Sequence, residues 1–220
     1  MGLLIRVGDS IDRETNSCVR RLVRRLESAP RPGLIEVIPA YNTVLINFDP
    51  LGSSMDSWIE FVESLDYRNP TEKIEYDIGR IVEIPVLYGG EFGQDIEFVA
   101  KINNVSVHDV IRIHSSEEYF VYMLGFTPGF AYLGGLSPKI HAPRLDSPRE
   151  VVPAGSIGIA NDQTGIYPIS SAGGWRLIGR TPLKLFRPQD KSPFVYEAGD
   201  SIRFRSISPE EYESLTEFHD

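Results

Sequence analysis

The sequence predicts an α+β protein in two parts: a small α/β sandwich over residues 1–79, then a β-barrel or sandwich with long loops over residues 80–220. Three observations carry this reading. Before residue 66, apolar residues recur at strand or helix spacing in the order strand, helix, strand, strand, helix. A polar stretch, Asp66 to Gly79, then interrupts the pattern at Asn69-Pro70. Beyond it, nine of the 16 prolines and 11 of the 19 glycines crowd between Gly125 and Gly199, with short apolar runs between them.

In the first part, Leu3–Val7 reads as a strand. Asp12 to about Ala29 reads as a helix whose apolar stripe is Ile11, Cys18, Val19, Leu22, Val23 and Leu26, ended by Pro30-Arg31-Pro32-Gly33. Leu34–Ile38 and Thr43–Phe48 read as strands. A second helix, about Met55 to Leu65, carries the stripe Met55, Trp58, Ile59, Val62 and Leu65, with Phe61 to one side. This order places helices on one face of an antiparallel sheet. In the second part, Arg80–Val86 reads as a strand that Pro85 assigns to an edge. Asp95–Ile102 and Val107–Ile113 read as short helices, the latter capped by Ser106, and Glu118–Leu124 as a buried strand. Further strands are expected at Ser156–Ala160, Trp175–Ile178, Leu183–Phe186 and Ser201–Arg205. Ser208-Pro209-Glu210-Glu211 starts a last helix with a cap, a proline at the first position and a capping-box glutamate.

Composition narrows the function. Hydrophobic residues at 41% and charged residues at 24% are those of a folded globular chain. A net charge of −9 argues against nucleic acid as a partner. The local exception, Arg20-Arg21 with Arg24-Arg25, is expected to be a solvated helix face. No apolar run approaches the roughly 18 residues of a membrane span, and the start of the chain has neither the apolar length nor the cleavage site of a signal peptide. A single cysteine, Cys18, cannot form an intramolecular disulfide. A cytoplasmic protein without a membrane partner is therefore expected.

Familiar catalytic motifs are absent: the sequence has neither GxxxxGK[ST] nor G-x-S-x-G. His108, His114, His141 and His219 have no metal-ligand spacing, so no metal is expected. Cys18 lies on an apolar stripe and reads as a packed side chain. What remains is a set of glycine- and proline-rich segments: Gly125–Gly134, the pairs Pro143-Arg144 and Pro148-Arg149, Val152–Ile159, and Gln163–Pro168 leading to Gly173-Gly174-Trp175. Glycine brings backbone N–H groups close to a ligand, proline shapes a loop beforehand, and arginine pairs with carboxylate or phosphate. Phe130, Tyr132 and Trp175 could wall a small-molecule site. Equally, the same residues could simply build tight turns. His114 has two readings, a general acid or base and a helix-terminal histidine meeting the last carbonyls; on the residues alone the second is preferred. Asp200 reads as a turn residue before the last strand.

Several runs together resemble the family of 5-oxoprolinase B subunits (PxpB/KipI), also labelled allophanate hydrolase subunit 1. They are His114-Ser115-Ser116, GFTPGFAYL at Gly125–Leu133, the Pro-Arg pairs, VPAGSIGIA at Val152–Ala160, QTGIYP at Gln163–Pro168, GGWRLIGRTP at Gly173–Pro182 and GDSIRF at Gly199–Phe204. The resemblance covers about residues 80 to 206, and Val7-Gly8-Asp9 extends it into the first part. The chain departs from it at Ala172, where the family commonly has proline, and at Arg187, where it commonly has aspartate. The family usually opens with one more short strand, so a shortened start is expected here.

The resemblance implies a cyclophilin-like β-barrel for the second part. It also implies a partner, a homologue of the 5-oxoprolinase C subunit and possibly of its A subunit, with which the family converts 5-oxoproline to glutamate using ATP. A lactam is a stable amide, and phosphorylating its oxygen supplies a leaving group. Loops and resemblance together assign His114, Arg144 and Gln163 as catalytic. They assign Phe130, Tyr132, Arg149, Tyr167, Gly174 and Trp175 to substrate, in a cleft closed by the partner. The alternative implied function is inhibition of a sensor histidine kinase through the same loops. Prolyl isomerisation follows only from the fold, and urea or allophanate chemistry only from the older label; both are disfavoured.

Overall fold

Asp12 starts the first helix by accepting the Thr15 N–H at 2.7 Å, and further hydrogen bonds from Ser10 and Thr15 hold its carboxyl below the usual range. The computed structural model describes residues 1–29, 31–68 and 79–217. It divides into two units, Met1–Asp77 and Ile78–Asp220. Most of the expected linker, residues 69–78, lies outside the described residues.

The first unit comprises β1 (Gly2–Arg6), α1 (Arg13–Ser28), β2 (Leu34–Pro39), β3 (Thr43–Phe48) and α2 (Met55–Ser64). The sheet is antiparallel in the order β1-β3-β2. Alternation on the central strand turns Val44, Ile46 and Phe48 inward, where they meet Val19, Leu22 and Leu26 of α1 and Trp58 and Val62 of α2. Two stripe assignments are corrected. Ile11 precedes the cap and is 56% exposed, and Ile59 is 38% exposed while Phe61 packs inward instead. The arginine run is not a solvated face either. Arg21 is only 5% exposed; its Nε donates to the Tyr67 carbonyl at 2.9 Å, and its Nη atoms reach Ser17 and Cys18. A guanidinium on a helix flank can bury its stem when carbonyls take up its protons.

The second unit contains β4 (Ile81–Tyr88), α3 (Ile96–Ile102), α4 (Val107–Ser116), β5 (Glu118–Leu124), β6 (Ala131–Gly134), β7 (Arg149–Val152), β8 (Ser156–Ala160), β9 (Gln163–Ile166), β10 (Ser171–Gly173), β11 (Arg176–Arg180), β12 (Ser201–Ser206) and α5 (Pro209–Glu217). Seven strands close a barrel in the order β11-β4-β12-β5-β6-β9-β8, and β8 pairs back onto β11. Only β4 and β12 run parallel among these pairs. Inward residues such as Ile84, Val86, Val121, Leu133, Ile157, Ile159, Ile166, Ile178 and Ile202 form its core, joined by Val99 of α3 and Val110 of α4. Ser106 and Asp109 form a full capping box at the start of α4.

Two expectations fail here. Leu183–Phe186 is no strand; it makes one isolated bridge, Phe186 to Phe194, because Pro182 and Pro188 bracket too short a run to hold a ladder. Pro85 does not mark an edge strand, since β4 has neighbours on both sides. It is tolerated because β11 meets β4 only at Leu87 and Tyr88, leaving Pro85 a partner on β12 alone.

Candidate functional site: an aromatic cleft on the barrel wall

Strand β8 alternates between two environments. Ile157 and Ile159 enter the barrel core, while Ala160 joins a second cluster outside it with Phe130, Val152, Tyr167, Trp175 and Leu177. Between them, Gly158 of β8 stands opposite Gly165 of β9. A Cβ on Gly158 would lie 2.9 Å from Trp175 Cβ, and one on Gly165 would lie 2.9 Å from Trp175 Cζ3 and 3.1 Å from Phe130 Cζ. The paired glycines therefore make a flat strip on which the indole lies against the barrel wall. Gly173 does the same for Tyr167, whose hydroxyl oxygen an added Cβ would strike.

Around this strip the rings pack edge to face. Phe130 is 5.4 Å from Trp175, 5.0 Å from Tyr167 and 4.9 Å from Tyr132, between ring centroids. They enclose a cleft of about 330 Å³, also lined by Phe126, Arg144, Leu145, Pro148 and Ala172–Gly174. Phe126, left-handed at φ 65° and 64% exposed, stands in the tight Gly125–Phe130 loop. The Gly125 N–H donates to the Phe130 carbonyl at 3.0 Å, and the Tyr196 hydroxyl clamps the Gly129 carbonyl at 3.0 Å. Opposite, the Leu145 N–H donates to the Gly174 carbonyl at 2.7 Å, joining the arginine loop to the glycine turn. The Arg144 guanidinium lies 5.9 Å from the Trp175 ring centroid. Ionisable lining groups are Arg144, Tyr132 and Tyr167; burial pushes both phenols up, with Arg144 opposing it. Such a cleft can hold a small flat or alicyclic anion, with apolar faces for the ring and one cation for the charge.

Of the residues selected from the sequence, Phe130, Tyr132, Arg144, Tyr167, Gly174 and Trp175 line this cleft. Three do not. Arg149 turns behind the wall and grips Asp95. Gln163 starts β9 opposite Ala160 and is outside the lining. His114 is fully buried in the barrel, its Nδ1 2.7 Å from the Tyr88 hydroxyl and its Nε2 2.9 Å from Thr164 Oγ1. Its ring stacks on Phe204 at 4.5 Å and Tyr119 at 5.2 Å. Burial pushes its pKa down to about 3, so it is neutral and closed to substrate, and it makes no bond to the last helical carbonyls. Phe126, Leu145, Pro148, Ala172 and Gly173 line the cleft without having been assigned to it; Phe126, Pro148 and Gly173 belong to the glycine- and proline-rich segments, and Leu145 and Ala172 adjoin them. Among the described residues no group of three or more His, Cys, Asp or Glu is placed to hold a metal, and no helix is long and apolar enough to cross a membrane.

Fold and site define a class: a two-unit α+β protein whose closed barrel carries an aromatic, arginine-bearing cleft of small-molecule size. Residues 1–196 match the family model described as carboxyltransferase domain, subdomain C and D. The chain is 48% identical to the 5-oxoprolinase B subunit of Bacillus subtilis (strain 168) over 98% of its own length and 93% of that protein's. With this coverage, the chain belongs to the family of 5-oxoprolinase B subunits. Among solved structures it is similar to TTHA0988 (TM-score 0.82, 35% identity), covering 94% of this chain but 40% of that one. It is also similar to PH0987 from Pyrococcus horikoshii, a conserved uncharacterized protein (TM-score 0.60, 46% identity), with 96% of each chain covered.

Proposed function

We propose that this chain is the substrate-binding component of an ATP-dependent 5-oxoprolinase, which opens 5-oxoproline to glutamate together with a C-subunit homologue. The observation that carries the reading is Arg144 at the edge of an aromatic cleft of about 330 Å³. 5-Oxoproline is a five-membered ring bearing one carboxylate. Arg144 would take the carboxylate and the faces of Trp175, Tyr132 and Phe130 would take the ring. Family membership supports the role as one component of a larger assembly.

This chain binds and orients in that scheme. The cleft lining holds neither carboxylate nor imidazole, so proton transfer falls to groups of the partner that closes over it. The nucleotide is also assigned outside this cleft, whose volume suits a small ring molecule better than a nucleoside triphosphate. When bound by the assembly, ATP would supply the phosphoryl group that activates the lactam oxygen.

The test is ATP-dependent glutamate release from 5-oxoproline by the chain co-expressed with homologues of the A and C subunits, with each omitted in turn. Release that needs this chain is the expected result. An assembled complex that releases none, or releases equally well without this chain, overturns the assignment.

A further inference from the structure

We propose that Asp95 is the positioning residue of the cleft: its one carboxylate aligns two arginines that hold the Trp175 wall and the Arg144 loop in register. Asp95 precedes α3 and occupies the cap position, yet its side chain makes no capping bond to that helix. An aspartate there ordinarily caps. This one is turned toward β11 instead, and it is 8% exposed.

Its partners explain the diversion. Asp95 pairs with both backbone groups of Leu177: Oδ2 accepts the Leu177 N–H at 2.7 Å, and the Asp95 N–H donates to the Leu177 carbonyl at 2.8 Å. Arg149 Nη2 donates to Oδ1 at 3.0 Å and Oδ2 at 2.9 Å, and Arg176 Nη1 lies 3.8 Å from Oδ1. Each arginine then grips a carbonyl of the cleft's frame. Arg149 Nη1 donates to Trp175 at 3.3 Å, and Arg176 Nε donates to Pro143, the residue before Arg144, at 3.1 Å. The Arg176 guanidinium also lies 3.8 Å over the Phe98 ring of α3. Carboxylate, guanidinium and carbonyl thus form two arms from one hub, ending at the two segments that present the indole and the cleft arginine. Asp95 itself does not line the cleft, so it acts through its neighbours.

Charge and geometry make opposite predictions, which separates this role from a merely electrostatic one. Asp95→Asn removes a negative charge beside the cleft, and charge alone would tighten an anion. Positioning requires the reverse, because Asn keeps one acceptor oxygen and turns an NH2 donor toward the Arg149 guanidinium or the Leu177 N–H, so the wall loosens.

The experiment labels the full chain with 5-fluorotryptophan, which yields one ¹⁹F signal from Trp58 and one from Trp175, assigned with Trp175→Phe. Asp95→Asn and Arg149→Met are each expected to move the Trp175 signal and leave that of Trp58 in place. Affinity for 5-oxoproline is expected to fall about tenfold or more in both. If Asp95→Asn fails to fold, Arg149→Met keeps the Asp95–Leu177 link and reads the same arm. A Trp175 signal unmoved by the folded variants overturns the proposal, as does tighter 5-oxoproline binding by Asp95→Asn. The affinity readout rests on the 5-oxoproline reading. Should the unsubstituted chain bind none, that reading fails, while the ¹⁹F signal still decides the role of Asp95.

Discussion

His114 donates to Thr164: the two side chains are 2.9 Å apart, and the Thr164 hydroxyl gives its single proton to the Gly158 carbonyl at 3.0 Å. The imidazole proton is therefore on Nε2, and Nδ1 accepts from the Tyr88 hydroxyl at 2.7 Å. In the native state its pKa is pushed from 6.5 down to about 3 by burial. Below about 6.5 the unfolded chain binds a proton that the folded chain refuses. Stability from this group is thus complete above 6.5 and falls toward pH 3 by about 1.4 kcal/mol per pH unit. Urea midpoints of the second unit between pH 7.5 and 4 should show this slope, and His114→Gln should flatten it while costing about 1–3 kcal/mol at pH 7.5. Equal slopes in the two proteins would remove His114 as their cause.

Gly165→Ala tests the glycine strip. The new methyl would lie 2.9 Å from Trp175 Cζ3 and 3.0 Å from the Ala131 carbonyl, inside any relaxed contact. Trp175 has to lift, at a cost of about 1–3 kcal/mol. Tryptophan emission should shift to the red, and 5-oxoproline binding should weaken. Unchanged emission with full stability would mean that the wall yields freely there.

At Arg144, size and charge can be separated. Arg144→Ala should leave the unfolding midpoint within about 0.5 kcal/mol, since the residue is exposed, and should abolish turnover by the assembled complex. Arg144→Lys keeps the charge but not the paired donors, so a partial rescue in KM is expected. Normal turnover in the alanine variant would take Arg144 out of substrate binding.

Asp200 is a stability prediction. It is buried where β4 and β12 begin, and it accepts from Arg80 N at 3.2 Å, Arg80 Nε at 3.0 Å and Glu197 N at 2.9 Å. Asp200→Ala leaves two backbone donors without their acceptor and should cost about 2–3 kcal/mol. Arg80 is largely exposed, so Arg80→Ala should cost less than the aspartate substitution. Denaturant unfolding of both variants orders the two losses, and the reverse order would refute this account of the seam.

Local pattern made much of the fold legible. Strands β3, β5 and β8 begin and end where their apolar runs do, because each run was long enough to state its own period. Strands β6, β7, β9 and β10 had only three or four residues each, several of them glycine, and they exist because pairing partners satisfy their backbones: barrel neighbours for β6 and β9, and each other for β7 and β10, which form a separate two-stranded sheet. Leu183–Phe186 shows the converse: strand-like residues without a ladder to join.

The site divides in the same way. From sequence alone came the two-part α+β plan, the family, and the aromatic and arginine members of the cleft, all carried by residues close together in the chain. Tertiary structure decided which of those residues meet. It buried His114 against Thr164, 50 positions away, and turned Arg149 onto Asp95, 54 positions away. It also made a shelf for an indole out of two glycines that read equally well as turns. The physical reason is that burial and pairing depend on distant partners, whereas helical and strand periodicity depend only on neighbours along the chain.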